Sequence, residues 1–248
     1  MITQKLKKLI HKPDYFFIIG PGRGGTSLLA SMLDFHPKLQ VGFERFAFDY
    51  LLGNQIRKEE KYHIEIRLQQ FDEACAEVAT MNHRLWGNKI TTEQIAALKE
   101  CEAGAPEREV HLFEKRVVKN HKVIFVVRDG RHCVLSKMQR TDQSYEEAVE
   151  RWKYATQVLR YFRDASVSLH LCRYEDIVEN PRRELQTICR FLGVPYDKEM
   201  LQGPVNPKMP DMYAGKILKP VAKLTEEQLL WTNDMKSELK WLGYINEN

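Results

Sequence analysis

Long apolar runs, cysteine pairs and excess charge of one sign are all scarce in this chain of 248 residues, and each scarcity excludes a class of protein. The longest apolar run lies around Tyr15–Ile19, well short of the ~20 residues a membrane-spanning helix needs. The opening Met1–Lys12 is short, basic and mildly amphipathic. It lacks the apolar region of about 7–15 residues and the cleavage site of a secretory leader, so a soluble cytoplasmic protein is expected. The five cysteines, at 75, 101, 133, 172 and 189, are odd in number and contain no C-x-x-C pair. That spacing excludes the usual zinc and redox patterns and fits a reducing compartment, and no metal is expected. Charge nearly cancels, with 38 basic against 34 acidic residues and a formal net charge of +4. Such a balance suits a small anionic ligand and falls short of the footprint of a nucleic-acid binder. Neither a repeat nor a linker-like stretch divides the chain, so residues 1–248 are expected to form one domain.

What is present is concentrated in Tyr15–Leu29. The apolar run Tyr15-Phe16-Phe17-Ile18-Ile19 feeds directly into Gly20-Pro21-Gly22-Arg23-Gly24-Gly25-Thr26-Ser27 and then into an apolar helix start. Strand, glycine-rich turn and helix N-terminus in that order make an anion cradle, because backbone N–H groups converge where the helix dipole is positive. The nucleoside-triphosphate pattern G-x-x-x-x-G-K-[ST] is met at Gly20, Gly25 and Ser27, but Thr26 stands in place of the phosphate-binding lysine. The dinucleotide pattern G-x-G-x-x-G is met at Gly20, Gly22 and Gly25, with Glu44 about 20 residues on. A third pattern is also met. Arg23-Gly24-Gly25-Thr26-Ser27-Leu28-Leu29 resembles the phosphosulfate loop of sulfotransferases that use 3′-phosphoadenosine 5′-phosphosulfate (PAPS).

A second signal is independent of the first. Val123-Ile124-Phe125-Val126-Val127 is another buried-strand pattern, ending in Arg128-Asp129-Gly130-Arg131 and followed by a helical run through Ser136 and Arg140. Ligands of open parallel sheets gather at the carboxyl ends of the strands, which would bring Arg128 beside the first loop. Ser136 and Arg140 are four apart and share a helix face, offering a hydroxyl and a guanidinium to one anion. In the sulfotransferases an Arg followed eight positions later by a Ser grips the donor's 3′-phosphate, and Arg128 with Ser136 reproduces that spacing.

The resemblance extends along most of the chain. Leu33-Asp34-Phe35-His36-Pro37 and Val41-Gly42-Phe43-Glu44 resemble the tyrosylprotein sulfotransferases and their bacterial relatives. Trp86-Gly87-Asn88-Lys89, Cys172-Arg173-Tyr174-Glu175-Asp176, Asn180-Pro181-Arg182-Arg183, Phe191-Leu192-Gly193-Val194-Pro195, Lys219-Pro220-Val221 and Leu242-Gly243-Tyr244 follow in the family's order. The resemblance implies a sulfonate transferred from PAPS to a hydroxyl or an amine, leaving 3′-phosphoadenosine 5′-phosphate (PAP). It implies Glu44 as general base, with Arg23 and Lys89 bracing the sulfonate and the bridging oxygen. It further implies Gly24, Gly25, Thr26, Ser27 and Leu28 around the phosphosulfate, Arg128, Ser136 and Arg140 around the 3′-phosphate, and Tyr174 at the adenine. The family's donor-contacting serine has no counterpart in Val205–Leu218, where Lys216 and Lys219 stand as candidate phosphate contacts. The family's disulfide cysteine before the base is Val41 here, which argues against a secretory-pathway enzyme. His36, the other candidate base, precedes Pro37 at a helix end and is read as structural. A P-loop kinase with a displaced lysine and a non-catalytic nucleotide-binding module stay open as alternatives. The acceptor also stays open among phenols, sugars, lipids and peptide tyrosines.

Strand patterns at Tyr15–Ile19, Val123–Val127 and Val167–Cys172 alternate with helical ones, so the fold expected is α/β, a P-loop-type three-layer arrangement with a mainly parallel central sheet flanked by helices. Ser144 with Glu147 forms a capping box, after which Ala148, Trp152, Ala155, Leu159 and Phe162 recur at helical spacing as core positions. Asn180 as cap, Pro181 at the first position and Gly193 past the end delimit another helix. Thr225 and Gln228 open a final helix running toward Leu242. The charged segment Leu51–Asn82 reads as a mainly helical insertion near the acceptor site. Arg131, Arg173, Arg182 and Arg183 read as surface or helix-end charges, and Cys101–Pro106 and Gly203–Pro210 as loops.

Overall fold

The computed structural model describes residues 14–60, 62–101, 108–205 and 221–246. Five parallel strands, β1 (Tyr15–Ile19), β2 (Leu39–Phe43), β3 (Leu85–Lys89), β4 (Lys122–Val127) and β5 (Leu169–Arg173), form one sheet in the order β2-β3-β1-β4-β5. Every residue of β1 is buried, as a central strand covered on both faces must be. Its alternation divides the core. Phe16 and Ile18 pack with α1 (Thr26–Asp34) and α8 (Pro181–Leu192), through Leu29, Met32, Leu185 and Ile188. Tyr15, Phe17 and Ile19 point the other way, into a cluster with Leu68 and Phe71 of α2 (Ile64–Met81) and Val158 and Phe162 of the helix Tyr145–Asp164. The expected three-layer α/β arrangement is what the chain forms.

Between β3 and β4 lie the short helices α3 (Thr92–Ala96) and α4 (Arg108–Phe113); α5 (Gly130–Thr141), α6 (Tyr145–Asp164) and α7 (Tyr174–Glu179) complete the set before α8, with α9 (Glu226–Leu230) and α10 (Lys236–Trp241) near the end. The Ser144–Glu147 capping box forms in both directions, at 3.2 and 3.1 Å, and opens the 20-residue α6. Trp152 is buried as expected, and its indole N–H also donates to the Arg128 carbonyl at 3.1 Å, anchoring the turn after β4.

Several expectations are corrected. β2 and β3 add to the expected strands, β2 with apolar Leu39, Val41 and Phe43 in alternation, and the strand expected at Val167–Cys172 begins two residues later at Leu169. Of Leu51–Asn82 only Ile64–Met81 is a continuous α-helix. Ahead of it the buried Arg67 takes the backbone carbonyls of Tyr50, at 2.9 Å, and Leu51, which closes the chain into turns around the positive-φ Gly53. The final helix is two short ones, separated by the turn at Trp231–Met235. Pro181 and Gly193 delimit α8 as expected, but the Asn180 side chain makes no capping bond. Arg131 is not a surface charge: it is buried and closes a two-pronged ion pair on Asp129, with Nε and Nη2 at 3.0 and 2.7 Å. Gly203 is buried against Met32 rather than in an open loop, and the expected loop residues 102–106 and 206–210 lie outside the described residues.

Candidate active site

The chain leaves β1 for β3 and β2 on one side and for β4 and β5 on the other, so the carboxyl end of β1 is the switch point at which an open parallel sheet makes a crevice. All five strands deliver an expected site residue to that edge: the glycine loop follows β1, Glu44 follows β2, Lys89 ends β3, Arg128 follows β4 and Tyr174 follows β5.

The loop is drawn tight by neighbours that leave no room for side chains. A Cβ at Gly20 would stand 2.4 Å from the Val126 carbonyl oxygen, and one at Gly25 would stand 2.4 Å from the Tyr174 ring. Gly25, at φ 101°, opens α1, and the Gly24 amide closes the turn on the Pro21 carbonyl at 2.9 Å. Thr26 is buried at the helix start, Ser27 is half-buried beside it, and Leu28 packs its side chain into the core.

Cationic groups collect around this loop. Arg23 donates from Nε to the Ser136 hydroxyl at 3.1 Å, and Arg128 donates from Nη1 to the Arg23 carbonyl at 3.0 Å. The Arg128 guanidinium lies 4.4 Å from the centre of the Tyr174 ring, and Gly25 packs against the same ring. Burial holds the Arg23 pKa below its ordinary value, and the neighbouring Arg140 and Arg128 charges push the same way. Arg140 itself is exposed at the far end of α5. The Nε of Arg128 is buried and makes no hydrogen bond. An orphaned guanidinium N–H inside a cluster of like charges is the signature of a site shaped for an anion. Lys216 and Lys219 lie outside the described residues.

Glu44 and Lys89 meet on the other side of the crevice. The Lys89 ammonium is paired with Oε1 of Glu44, the Glu44 N–H donates to the Lys89 carbonyl at 2.7 Å, and Gln94 donates from Nε2 to Oε2 at 2.8 Å. The Lys89 side chain is only 5% exposed and that of Glu44 42%, so an incoming molecule reaches the carboxylate first. Glu44 (φ 55°) and Arg23 (φ 69°) both occupy the left-handed region. Non-glycine residues enter it at a cost and tend to do so at functional sites.

His36 is no part of this constellation. Its Nε2 pairs with the Pro195 carbonyl at 2.7 Å and its Nδ1 accepts the Lys38 amide at 3.0 Å, a buried structural role as expected.

Four neighbours of the site escape sequence reading. Asn88 bonds both backbone groups of Arg45, at 2.8 and 3.1 Å, and so holds the turn that carries Glu44. Glu93 accepts the Gly22 amide at 2.9 and 3.1 Å while pairing with the buried Lys137. Burial pushes the Glu93 carboxyl up, but Lys137 and the Gly22 N–H outweigh it and hold the group below its ordinary value. The Lys137 charge is thus committed to Glu93 and does not replace a Walker lysine. Gln94 completes the set, and the signal that could have found it is the box pattern Thr91-x-x-Gln94. Beneath the loop Cys133 donates to the Gly22 carbonyl at 3.4 Å, and burial pushes its thiol up to about 11, so it acts as packing rather than as a nucleophile. Among the described residues no group of three His, Cys, Asp or Glu side chains could hold a metal ion, and no helix is long and apolar enough to cross a membrane.

Comparison with known proteins bears on the family and the fold. Protein-tyrosine sulfotransferase 2 of Gallus gallus is 25% identical over 244 residues, covering 92% of this chain and 63% of its own length, so the chain spans under two thirds of that relative. The sulfotransferase domain of the Synechococcus PCC 7002 olefin synthase superposes with a TM-score of 0.58 at 19% identity, covering 92% of this chain and 96% of that domain. Mouse sulfotransferase SULT7A1, solved in complex with PAP, superposes with a TM-score of 0.53 at 13% identity, covering 94% and 88%. These two likenesses establish the shared fold. The profile described as "Sulfotransferase family" matches residues 13–198, and on that match the chain belongs to the sulfotransferase family.

Proposed function

We propose that the sulfonate donor is PAPS and that transfer to an acceptor hydroxyl or amine proceeds in line with Glu44 as general base. The observation that carries the donor reading is the orphaned Nε of Arg128 beside Arg23 and Ser136 at the glycine loop. Arg128, Ser136 and Arg140 would hold the 3′-phosphate, and Tyr174, beside Gly25 and Arg128, would lie at the adenine. Leu28, Lys216 and Lys219 remain further donor contacts of this reading. The PAP held by the mouse relative of the same fold supports it.

The acceptor reading rests on Glu44. Its carboxylate takes the acceptor proton as the acceptor atom bonds to sulfur and the bond from sulfur to the bridging phosphate oxygen breaks. Protonation cancels the charge that holds Lys89, so the ammonium is released toward the bridging oxygen as negative charge grows there. Arg23 braces the peripheral oxygens. Charge redistributes among fixed cations without any new ion entering, as a loose in-line transition state requires. With all five cysteines buried and none in a disulfide, we also place the enzyme in a reducing, cytoplasmic compartment, acting as one domain.

Calorimetry tests the donor. PAP and ADP carry the same two phosphates, the second on the 3′ oxygen in PAP and on the 5′-phosphate in ADP, and PAP should bind more tightly than ADP or ATP whether or not Mg²⁺ is present. A Mg²⁺-dependent preference for ATP would replace this reading with a kinase. In the same assay Arg128→Ala should weaken PAP by about 2 kcal/mol, roughly thirty-fold in Kd, the worth of a charge-assisted phosphate contact. ADP should lose much less, and equal losses for the two ligands would move Arg128 away from the 3′-phosphate.

A further inference from the structure

We propose that Gln94 is the positioning residue of Glu44, fixing the base relative to the donor loop; the proposal rests on Glu44 being the base. The Glu44 side chain is 42% exposed and ends in a carboxylate free to rotate unless both oxygens are held. Lys89 takes Oε1 and Gln94 takes Oε2, at 2.8 Å. The Gln94 amide is itself held at its other end, where Oε1 accepts the Thr91 N–H at 2.9 Å. That pairing settles which end is which: reversing the amide would set its NH₂ against an N–H and its oxygen against a carboxylate.

The cap alone does not call for a glutamine. Glu serves a capping box as well as Gln does, because the cap uses only an acceptor oxygen. The donor NH₂ is the part the cap leaves over, and here it is aimed at Glu44. Glu93, one residue earlier, holds the Gly22 amide of the donor loop. Two adjacent side chains of the five-residue α3 therefore grip the two halves of the site, and the distance between base and donor is set by one rigid turn of helix.

The experiment is a double-mutant cycle on the intact enzyme, following PAP release from PAPS with 4-methylphenol as surrogate acceptor and with water. Gln94→Glu keeps the acceptor for Thr91 but sets a second carboxylate against Glu44 in place of the donor, and Gln94→Met removes the donor in a neutral side chain of similar length. Each should lower kcat about ten- to hundred-fold, the scale of one charge-assisted hydrogen bond, while PAP binding changes less than about two-fold. In a Glu44→Gln background the same substitutions should change kcat by less than about two-fold, since no carboxylate base is left to position. A loss of the same size in both backgrounds, or no loss in either variant, overturns the proposal. Wild-type turnover in Glu44→Gln alone would instead fell the base reading, and PAPS left intact by the wild-type enzyme would fell the donor reading.

Discussion

Replacing Glu44 with Gln should lower kcat by about 10²–10⁴ while leaving the Kd for PAP within about two-fold of the wild-type value. The substitution changes little in shape. A glutamine oxygen can still accept from Lys89 or Gln94, and the backbone bond from residue 44 to the Lys89 carbonyl is untouched. What disappears is a group able to receive a proton at neutral pH. Lys89 is then held by a neutral amide that no proton transfer discharges, so its release toward the bridging oxygen is no longer coupled to attack. Donor binding should survive because Arg23, Arg128, Ser136 and Tyr174 engage one another without Glu44. Retained PAP affinity also shows that the variant is folded. The measurement is PAP release under saturating PAPS, paired with calorimetry on the same preparation. Undiminished turnover would remove Glu44 from the mechanism and leave Lys89 as a structural cation.

The parts of this site that the sequence declares are those built by contiguous residues. An apolar strand delivering a glycine loop, and a second delivering Arg128 with Ser136 on the following helix, are local patterns, and both elements lie where they were expected. The middle of the sheet is different. β3 reads Leu85-Trp86-Gly87-Asn88-Lys89, two of the five polar, yet four of its five residues are buried. Its polar side chains are admitted by partners more than 40 residues away, Arg45 for Asn88 and Glu44 for Lys89. Gly87 is required because a Cβ there would stand 2.3 Å from the Phe16 ring of the neighbouring strand. No window of sequence contains those partners, so periodicity fails just where side chains from separate segments satisfy one another. The turns just ahead of α2 have the same origin, since the buried Arg67 reaches back from that helix to the Tyr50 and Leu51 carbonyls. Gln94 was half legible, since its cap is a pattern and its bond to Glu44 is not.

Lys137→Met should destabilise the fold by about 3–5 kcal/mol at neutral pH, the scale for removing one partner of a buried ion pair. The Lys137 side chain is 2% exposed and that of Glu93 18%, so little water is at hand to replace the lost ammonium. The pH dependence separates this cause from a packing defect. In the wild-type protein the Glu93 carboxyl lies below its ordinary value, so its contribution is present above the unfolded-state pKa and is lost as pH falls through the folded-state one. Without Lys137 the largest influence left is burial, which pushes the carboxyl up. The sign then reverses, and the variant's stability falls as pH rises through that raised value. The stability gap between wild type and variant must therefore be widest near neutrality and close as the solution is acidified. Adding Glu93→Gln to Lys137→Met should recover much of the loss, because a neutral amide oxygen still accepts the Gly22 N–H and leaves no charge unpaired. Urea unfolding from pH 4 to pH 8 on the three proteins measures both effects. A gap that does not vary with pH would assign the loss to packing, and PAP binding restored in step with stability in the double variant would show that the pair acts on the donor loop by holding Gly22 in place.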